Sequence, residues 1–140
     1  MRVLIVSQYF FPENFPINHV ARILSENKFE VDILTGKPNY PEGEFYKGYK
    51  FFGTSNETYN KDINIFRVPI FKRSKKPSKI TLTLNYLSFI FFAILLSPKI
   101  LRKKKYDFVF VCCYSPLIQA IVGLFVSRYK KIPLYIWIQD

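Results

Sequence analysis

Val3-Leu4-Ile5-Val6, running directly into Ser7-Gln8-Tyr9 and then into Ile17, Val20, Ala21 and Leu24 at helical spacing, decides the fold. An apolar run without polar alternation reads as a strand buried on both faces, the condition of a parallel sheet covered by helices. Pro16 suits the first turn of the following helix, because the N–H it lacks has no intrahelical partner there. Residues 31–34, 108–112 and 134–138 supply three more short apolar runs, each rich in β-branched or aromatic side chains, and three of the four runs lack polar alternation. Between the last two, Ser115 is placed to cap a helix with Pro116 at its first position, and Leu117, Ile121, Leu124 and Phe125 form its expected apolar face. Ile63, Ile65, Phe66 and Val68 alternate up to Pro69 and offer a further strand. Strand, helix and strand with short connections is the βαβ pattern. The expected fold is therefore α/β, a Rossmann-like parallel sheet with flanking helices.

The 140 residues fit one domain, 1–140, and not two. An activity that needs a cleft between two domains then needs a second chain or further sequence. With 49% hydrophobic residues and 19% aromatic ones, a packed core is expected rather than disorder. The formal charge of +11 calls for anionic company, whether nucleic acid, phospholipid headgroups or phosphate-bearing substrates. The opening run is too short for a secretory signal and has no small-residue cleavage site, so the protein is expected in the cytoplasm. Cys112 and Cys113 are adjacent and lack spaced partners, which reads as buried thiols beside a strand. His19 stands alone, and the expectation is no metal and no cofactor.

Residues 72–105 carry ten Lys or Arg and no Asp or Glu. Lys72, Arg73, Lys75, Lys76 and Lys79 precede an apolar stretch, 80–96, and Lys99, Arg102, Lys103, Lys104 and Lys105 follow it. Ser97-Pro98 is expected to stop that helix. Seventeen residues rise about 26 Å, slightly short of the ~30 Å hydrocarbon core. Three readings stay open: a helix docked on an anionic membrane surface, a buried crossover helix, and a spanning helix. Symmetric basic flanks fit surface docking best. The basic residues bracket the helix instead of interleaving with aromatics, which argues against nucleic acid.

There is no Ser/His/Asp set, no Cys/His pair and no G-x-G-x-x-G after the first strand, so a dehydrogenase is disfavoured. Ligands of open parallel sheets sit beyond the carboxyl ends of the strands. That rule selects loops 7–14, 35–40, 113–116 and 139–140. The substrate-binding candidates in them are Gln8, Tyr9, Glu13, Asn14, Lys37, Asn39, Tyr40, Ser115 and Asp140. Glu13 is the first loop's one carboxylate, while Tyr9, Phe10 and Phe11 could stack on a sugar or plug the end of the sheet. Residues 36–49, with Pro38, Pro41, Gly43 and Gly48 among four aromatic residues, form a loop suited to ligand contact.

Ser7-Gln8-Tyr9-Phe10-Phe11-Pro12-Glu13-Asn14-Phe15, Thr35-Gly36-Lys37-Pro38-Asn39-Tyr40-Pro41-Glu42-Gly43 and Tyr46-Lys47-Gly48-Tyr49 resemble the opening of family 4 retaining glycosyltransferases. Arg67-Val68-Pro69, Leu84-Asn85-Tyr86-Leu87-Ser88-Phe89, Ser115-Pro116 and Gln139-Asp140 extend the likeness along the chain. The closest group makes bacterial surface polysaccharides, including N-acetylfucosamine transferases of O-antigen and capsule assembly. The resemblance implies the N-terminal, acceptor-side half of a GT-B fold. Its donor-binding domain would lie outside these residues, the domain being incomplete at its C-terminus and inactive alone. It implies transfer from a nucleotide-sugar donor to a lipid-linked glycan acceptor, peripheral on the inner face of the plasma membrane, with no metal. The alternative is an acceptor-binding subunit working with a separate donor-binding subunit. Two departures stand out: Asn14-Phe15-Pro16 replaces a glycine pair, and Gln139-Asp140 replaces His-Asp, so the catalytic residue is unassigned.

Overall fold

In the computed structural model, which describes residues 1–139, the opening run is a strand, Arg2–Val6 (β1), whose last four residues are fully buried. Next come Pro16–Glu26 (α1), Glu30–Gly36 (β2), Ser55–Tyr59 (β3), Ile63–Val68 (β4) and Lys79–Leu101 (α2). The chain continues through Phe108–Cys113 (β5), a single 3₁₀ turn, Ala120–Lys130 (α3) and Leu134–Ile138 (β6). Among the described residues these strands form one sheet in the order β3-β4-β2-β1-β5-β6. All pairs are parallel except β3 with β4, so the α/β Rossmann-like expectation holds.

Each apolar strand feeds both faces, because successive side chains point to opposite sides. Leu4, Val6, Leu34, Val68, Val109 and Val111 pack under α2 and α3, together with Phe89, Ala93, Val122 and Val126. Val3, Ile5, Val31, Ile33, Ile63 and Ile65 pack under α1 with Ile17 and Ala21. Each fully buried side chain of this kind contributes about 1.5–3 kcal/mol. Strand register aligns like with like, Val3 opposite Val31 and Ile5 opposite Ile33.

One strand adds to the expected set, and three expectations need correction. The antiparallel edge strand β3 was not anticipated, because Ser55-Asn56-Glu57-Thr58-Tyr59 is polar. Its hairpin turn is made by Asn60 and Lys61 at positive φ, without the Asn-Gly signal that usually marks such turns. Ser97-Pro98 does not stop α2, which runs on to Leu101. Pro98 cannot donate to the Ile94 carbonyl, and the Ser97 hydroxyl donates there instead at 3.4 Å. Ser115 does not cap α3: Pro116 is extended (φ −84°, ψ 153°), and the 3₁₀ turn Leu117–Gln119 intervenes. Finally, of the apolar face expected for α3, Leu117, Ile121 and Leu124 point outward and only Phe125 packs against the core. Val122, Gly123 and Val126 face the sheet instead, since at Gly123 even a Cβ would lie 2.1 Å from Val111 Cγ2.

Candidate functional site

Loops leaving the carboxyl ends of β1, β2, β4 and β5 meet at one edge of the sheet. A buried polar network lies beneath them. Its hub is Asn85 of α2, fully buried, whose Oδ1 accepts from Gln8 Nε2 at 2.8 Å and from Tyr9 Oη at 3.2 Å. The Asn85 Nδ2 donates to the Phe71 carbonyl at 2.6 Å and reaches Asn39 Oδ1 at 3.5 Å. The Gln8 backbone N–H donates to Gln119 Oε1 at 3.0 Å, which ties in the loop after β5. Asn85 thus joins the loops after β1, β2 and β4, and Gln8 links them to the segment after β5.

Glu13 is a second tie. Its Oε1 accepts from the backbone N–H groups of Asn39 and Tyr40, both at 2.9 Å, and its Oε2 accepts from that of Phe10 at 3.2 Å. Burial pushes its carboxyl up to about 7, against the pull of those N–H groups and of Arg67. Arg67, fully buried at the end of β4, is the third tie. Its Nε donates to both Glu57 oxygens at 2.9 and 3.1 Å, and its terminal nitrogens donate to the carbonyls of Gly36 and Phe11. The Tyr49 ring lies 5.1 Å below the guanidinium.

Gln8, Tyr9, Glu13 and Asn39 are therefore scaffold, with polar atoms turned toward one another. Lys37 is likewise buried, its Nζ donating to the carbonyls of Lys50 at 2.8 Å and Phe52 at 3.2 Å. Burial lowers its pKa, the nearby Glu57 opposing the shift. Asn14 and Ser115 are exposed and Tyr40 is half-buried. Asp140 lies outside the described residues.

Above the network stands an aromatic platform. Tyr9 stacks on Phe15 at 5.0 Å, and Phe15 adjoins Tyr40 at 5.1 Å and Tyr114 at 5.0 Å. The Arg73 guanidinium lies 5.1 Å over the Tyr40 ring and donates to Tyr9 Oη at 3.2 Å. An open cleft of about 620 Å³ continues beside it, lined by Phe11, Asn14, Phe15, His19, Arg22 and Tyr59. Such a surface can stack on a sugar ring, hydrogen-bond its hydroxyls and neutralise a nearby anion through Arg73. Glu13 is buried with both oxygens turned to three backbone amides and away from a ligand. Among the described residues no group of three His, Cys, Asp or Glu side chains is arranged to hold a metal ion.

The basic residues named from sequence separate into different roles. Arg73 turns into the platform, Lys72 pairs with Glu44, and Lys104 sits 3.5 Å from Asp32 and 4.9 Å over the Phe66 ring. Lys75, Lys76, Lys79, Lys99, Arg102, Lys103 and Lys105 make no ion pair among the described residues. Between them α2 buries Asn85, Ser88, Phe89, Ala93, Ser97 and Leu101. Its opposite face shows Ile80 (73% exposed), Leu84, Leu87, Phe91 (59%) and Leu95 (58%) to solvent. By length and composition α2 could cross a membrane, yet it packs on the sheet along its buried face.

Sequence reasoning missed Asn85 and Gln119 as organisers of the site and assigned Arg73 to the membrane set. Asn85 did leave a signal, the one amide side chain in a mostly apolar helix, whereas nothing in the sequence marks Gln119. No protein-family model matches this chain, and no curated protein does.

Proposed function

We propose that this chain is the acceptor-side half of a family 4, GT-B-type glycosyltransferase of bacterial surface-polysaccharide synthesis. It holds a lipid-linked glycan acceptor at the inner face of the plasma membrane, while a donor-binding half supplies the nucleotide sugar. The observation that carries this reading is the outward stripe of α2, Ile80, Leu84, Leu87, Phe91 and Leu95, with unpaired cations at both ends. A solvent-facing apolar stripe costs free energy in water and is recovered in a lipid interface. The first turn of α2 adjoins the segment carrying Arg73, so a membrane beneath α2 places a lipid-linked saccharide beside the aromatic platform. Phe15, Tyr40 and Tyr114 offer stacking surface and Asn14 and Ser115 offer hydrogen bonds, which suits a glycan and leaves phosphate chemistry to the other half. A second reading, an acceptor-binding subunit that works with a separate donor-binding subunit, accounts equally for the stripe and for a loop after β1 that holds no glycine to cradle a phosphate.

The test is binding of the full chain to nanodiscs with and without a lipid-linked saccharide, paired with a mass-spectrometric turnover assay over a panel of nucleotide sugars. Saccharide-bearing discs are expected to bind more tightly, and Tyr40→Ala should weaken that increment roughly tenfold, the value of one stacking ring. Equal binding to bare discs overturns the acceptor reading. Steady product formation by the purified chain alone overturns the assignment of a half without a donor site.

A further inference from the structure

The two basic clusters that flank α2 look equivalent in sequence and are not equivalent in space. Around residues 72–79, Lys72 and Arg73 are drawn to Glu44 and Tyr9, and the remaining lysines stand on an open surface. At the other end the chain folds into a concave site of about 440 Å³ lined by Arg102, Lys103, Lys104, Lys105, Tyr106 and Lys130. Two of its cations are fixed. Lys130 Nζ donates to the carbonyls of Leu101 and Lys104, closing the C-terminal end of α2, and Lys104 is held by Asp32. Asp32 also receives Arg2 at 3.1 Å and the Tyr106 hydroxyl at 2.7 Å, so its charge is already matched. Arg102, Lys103 and Lys105 are left without an ion pair among the described residues, around a pocket whose walls cannot neutralise them.

The pocket adjoins an apolar groove. Ile94 of α2 with Ile121, Leu124 and Phe125 of α3 lines a channel of about 480 Å³ that ends at Arg128 and Tyr129. Lys130, the next residue, sits with its Nζ 5.5 Å over the Tyr129 ring and belongs to the pocket. Ile121 and Leu124 remain 47% and 43% exposed, so the channel is open to solvent.

We infer that this end of the α2–α3 pair binds one anionic phospholipid, its headgroup phosphate in the Arg102–Lys105–Lys130 pocket and an acyl chain along the Ile94–Ile121–Leu124 groove. Charge complementarity and continuity of pocket with groove select a lipid over a free anion, which would use only the first. Three unmatched cations favour a phosphomonoester headgroup over a diester, because it carries more charge for the same contact. The inference rests on the membrane-docking reading and goes beyond it, in that docking needs only diffuse charge whereas a pocket needs particular residues.

The experiment compares two triple variants of equal charge, Arg102→Gln/Lys103→Gln/Lys105→Gln and Lys75→Gln/Lys76→Gln/Lys79→Gln. Each is assayed on vesicles containing phosphatidic acid, phosphatidylglycerol at matched surface potential, or neutral lipid alone. Loss of three surface charges lowers partitioning on the order of a hundredfold at either end. The pocket variant is expected to fall at least about tenfold further on phosphatidic acid, with Leu124→Asn reproducing part of that loss and Lys103→Arg/Lys105→Arg restoring it. Equal losses in the two triple variants overturn the pocket while leaving docking in place. Wild-type protein that ignores anionic vesicles altogether overturns both. Thermal stabilisation of the wild type by millimolar inorganic phosphate, matching that given by the lipid, overturns the lipid as occupant in favour of a free anion.

Discussion

Replacing Asn85 by leucine tests whether the site loops are held by a polar hub or merely rest on an apolar helix. The substitution keeps the branching at Cγ and removes both ends of the amide. Gln8 Nε2 keeps its 3.4 Å contact to the Tyr9 hydroxyl, whereas that hydroxyl and the Phe71 carbonyl lose their Asn85 partners at 3.2 and 2.6 Å. Each buried polar group stranded in this way costs about 1–3 kcal/mol, so two cost about 2–6 kcal/mol. The apolar surface gained by leucine offsets about 1–2 kcal/mol of that. A net loss of about 3 kcal/mol is expected, a large share of the 5–15 kcal/mol typical of a whole domain. The corresponding fall in Tm is about 10 °C for a chain of this size. Urea unfolding followed by far-ultraviolet circular dichroism measures it. Leu87→Asn on the exposed face of the same helix serves as control and should change stability by less than about 0.5 kcal/mol. If Asn85→Leu costs under about 1 kcal/mol with an unchanged denaturant slope, the network is not what holds the loops.

Two further outcomes follow from buried groups. Glu13, raised from its usual 4.5 to about 7, binds its proton more tightly folded than unfolded, so stability should fall as pH rises from 4.5 to 7. The shift corresponds to about 3 kcal/mol; Glu13→Gln should flatten this window, and an unchanged pH profile would show that the carboxylate is already ionised at acid pH. Asp32 behaves oppositely: burial alone would raise it, but Asn64, Tyr106, Lys104 and Arg2 outweigh that and hold it below 3.8. Its stabilisation should therefore be lost only as pH falls through that lower value, which acid titration of Asp32→Asn against wild type resolves. Gly123→Ala improves helix propensity by about 1 kcal/mol, yet its Cβ would meet Val111 Cγ2 at 2.1 Å. Overpacking of this kind costs about 1–3 kcal/mol, so the variant should unfold at lower urea concentration, and a stabilised variant would mean that α3 lifts freely from β5.

What the sequence determined by itself is the sheet and its open edge. Short runs of four to six mostly apolar, β-branched or aromatic residues are too brief for helices and read as strands, and the spacing of Ile17 and Ala21 admits one helical face, so β1, α1, β2, β4, β5 and β6 were legible. The loops at the carboxyl ends were legible for the same topological reason. The orientation of α2 and α3 was not, because each is apolar on more than one face, and periodicity cannot say which stripe meets the sheet. In α3 the bulky stripe Leu117, Ile121 and Leu124 turned outward, since only the Val122–Gly123–Val126 face lets the helix approach Val111. Nor could a list of loop residues separate scaffold from surface. Glu13, Asn39 and Gln8 were ligand candidates by position, and only the assembled loops show their polar atoms spent on backbone amides and on Asn85, a residue 46 to 77 positions away in the chain. Tertiary packing likewise divided ten basic residues into an inward-turned Arg73, a Lys72 paired with Glu44, a held Lys104 and seven left without an ion pair around the ends of α2, because carboxylates reach some of them and not others.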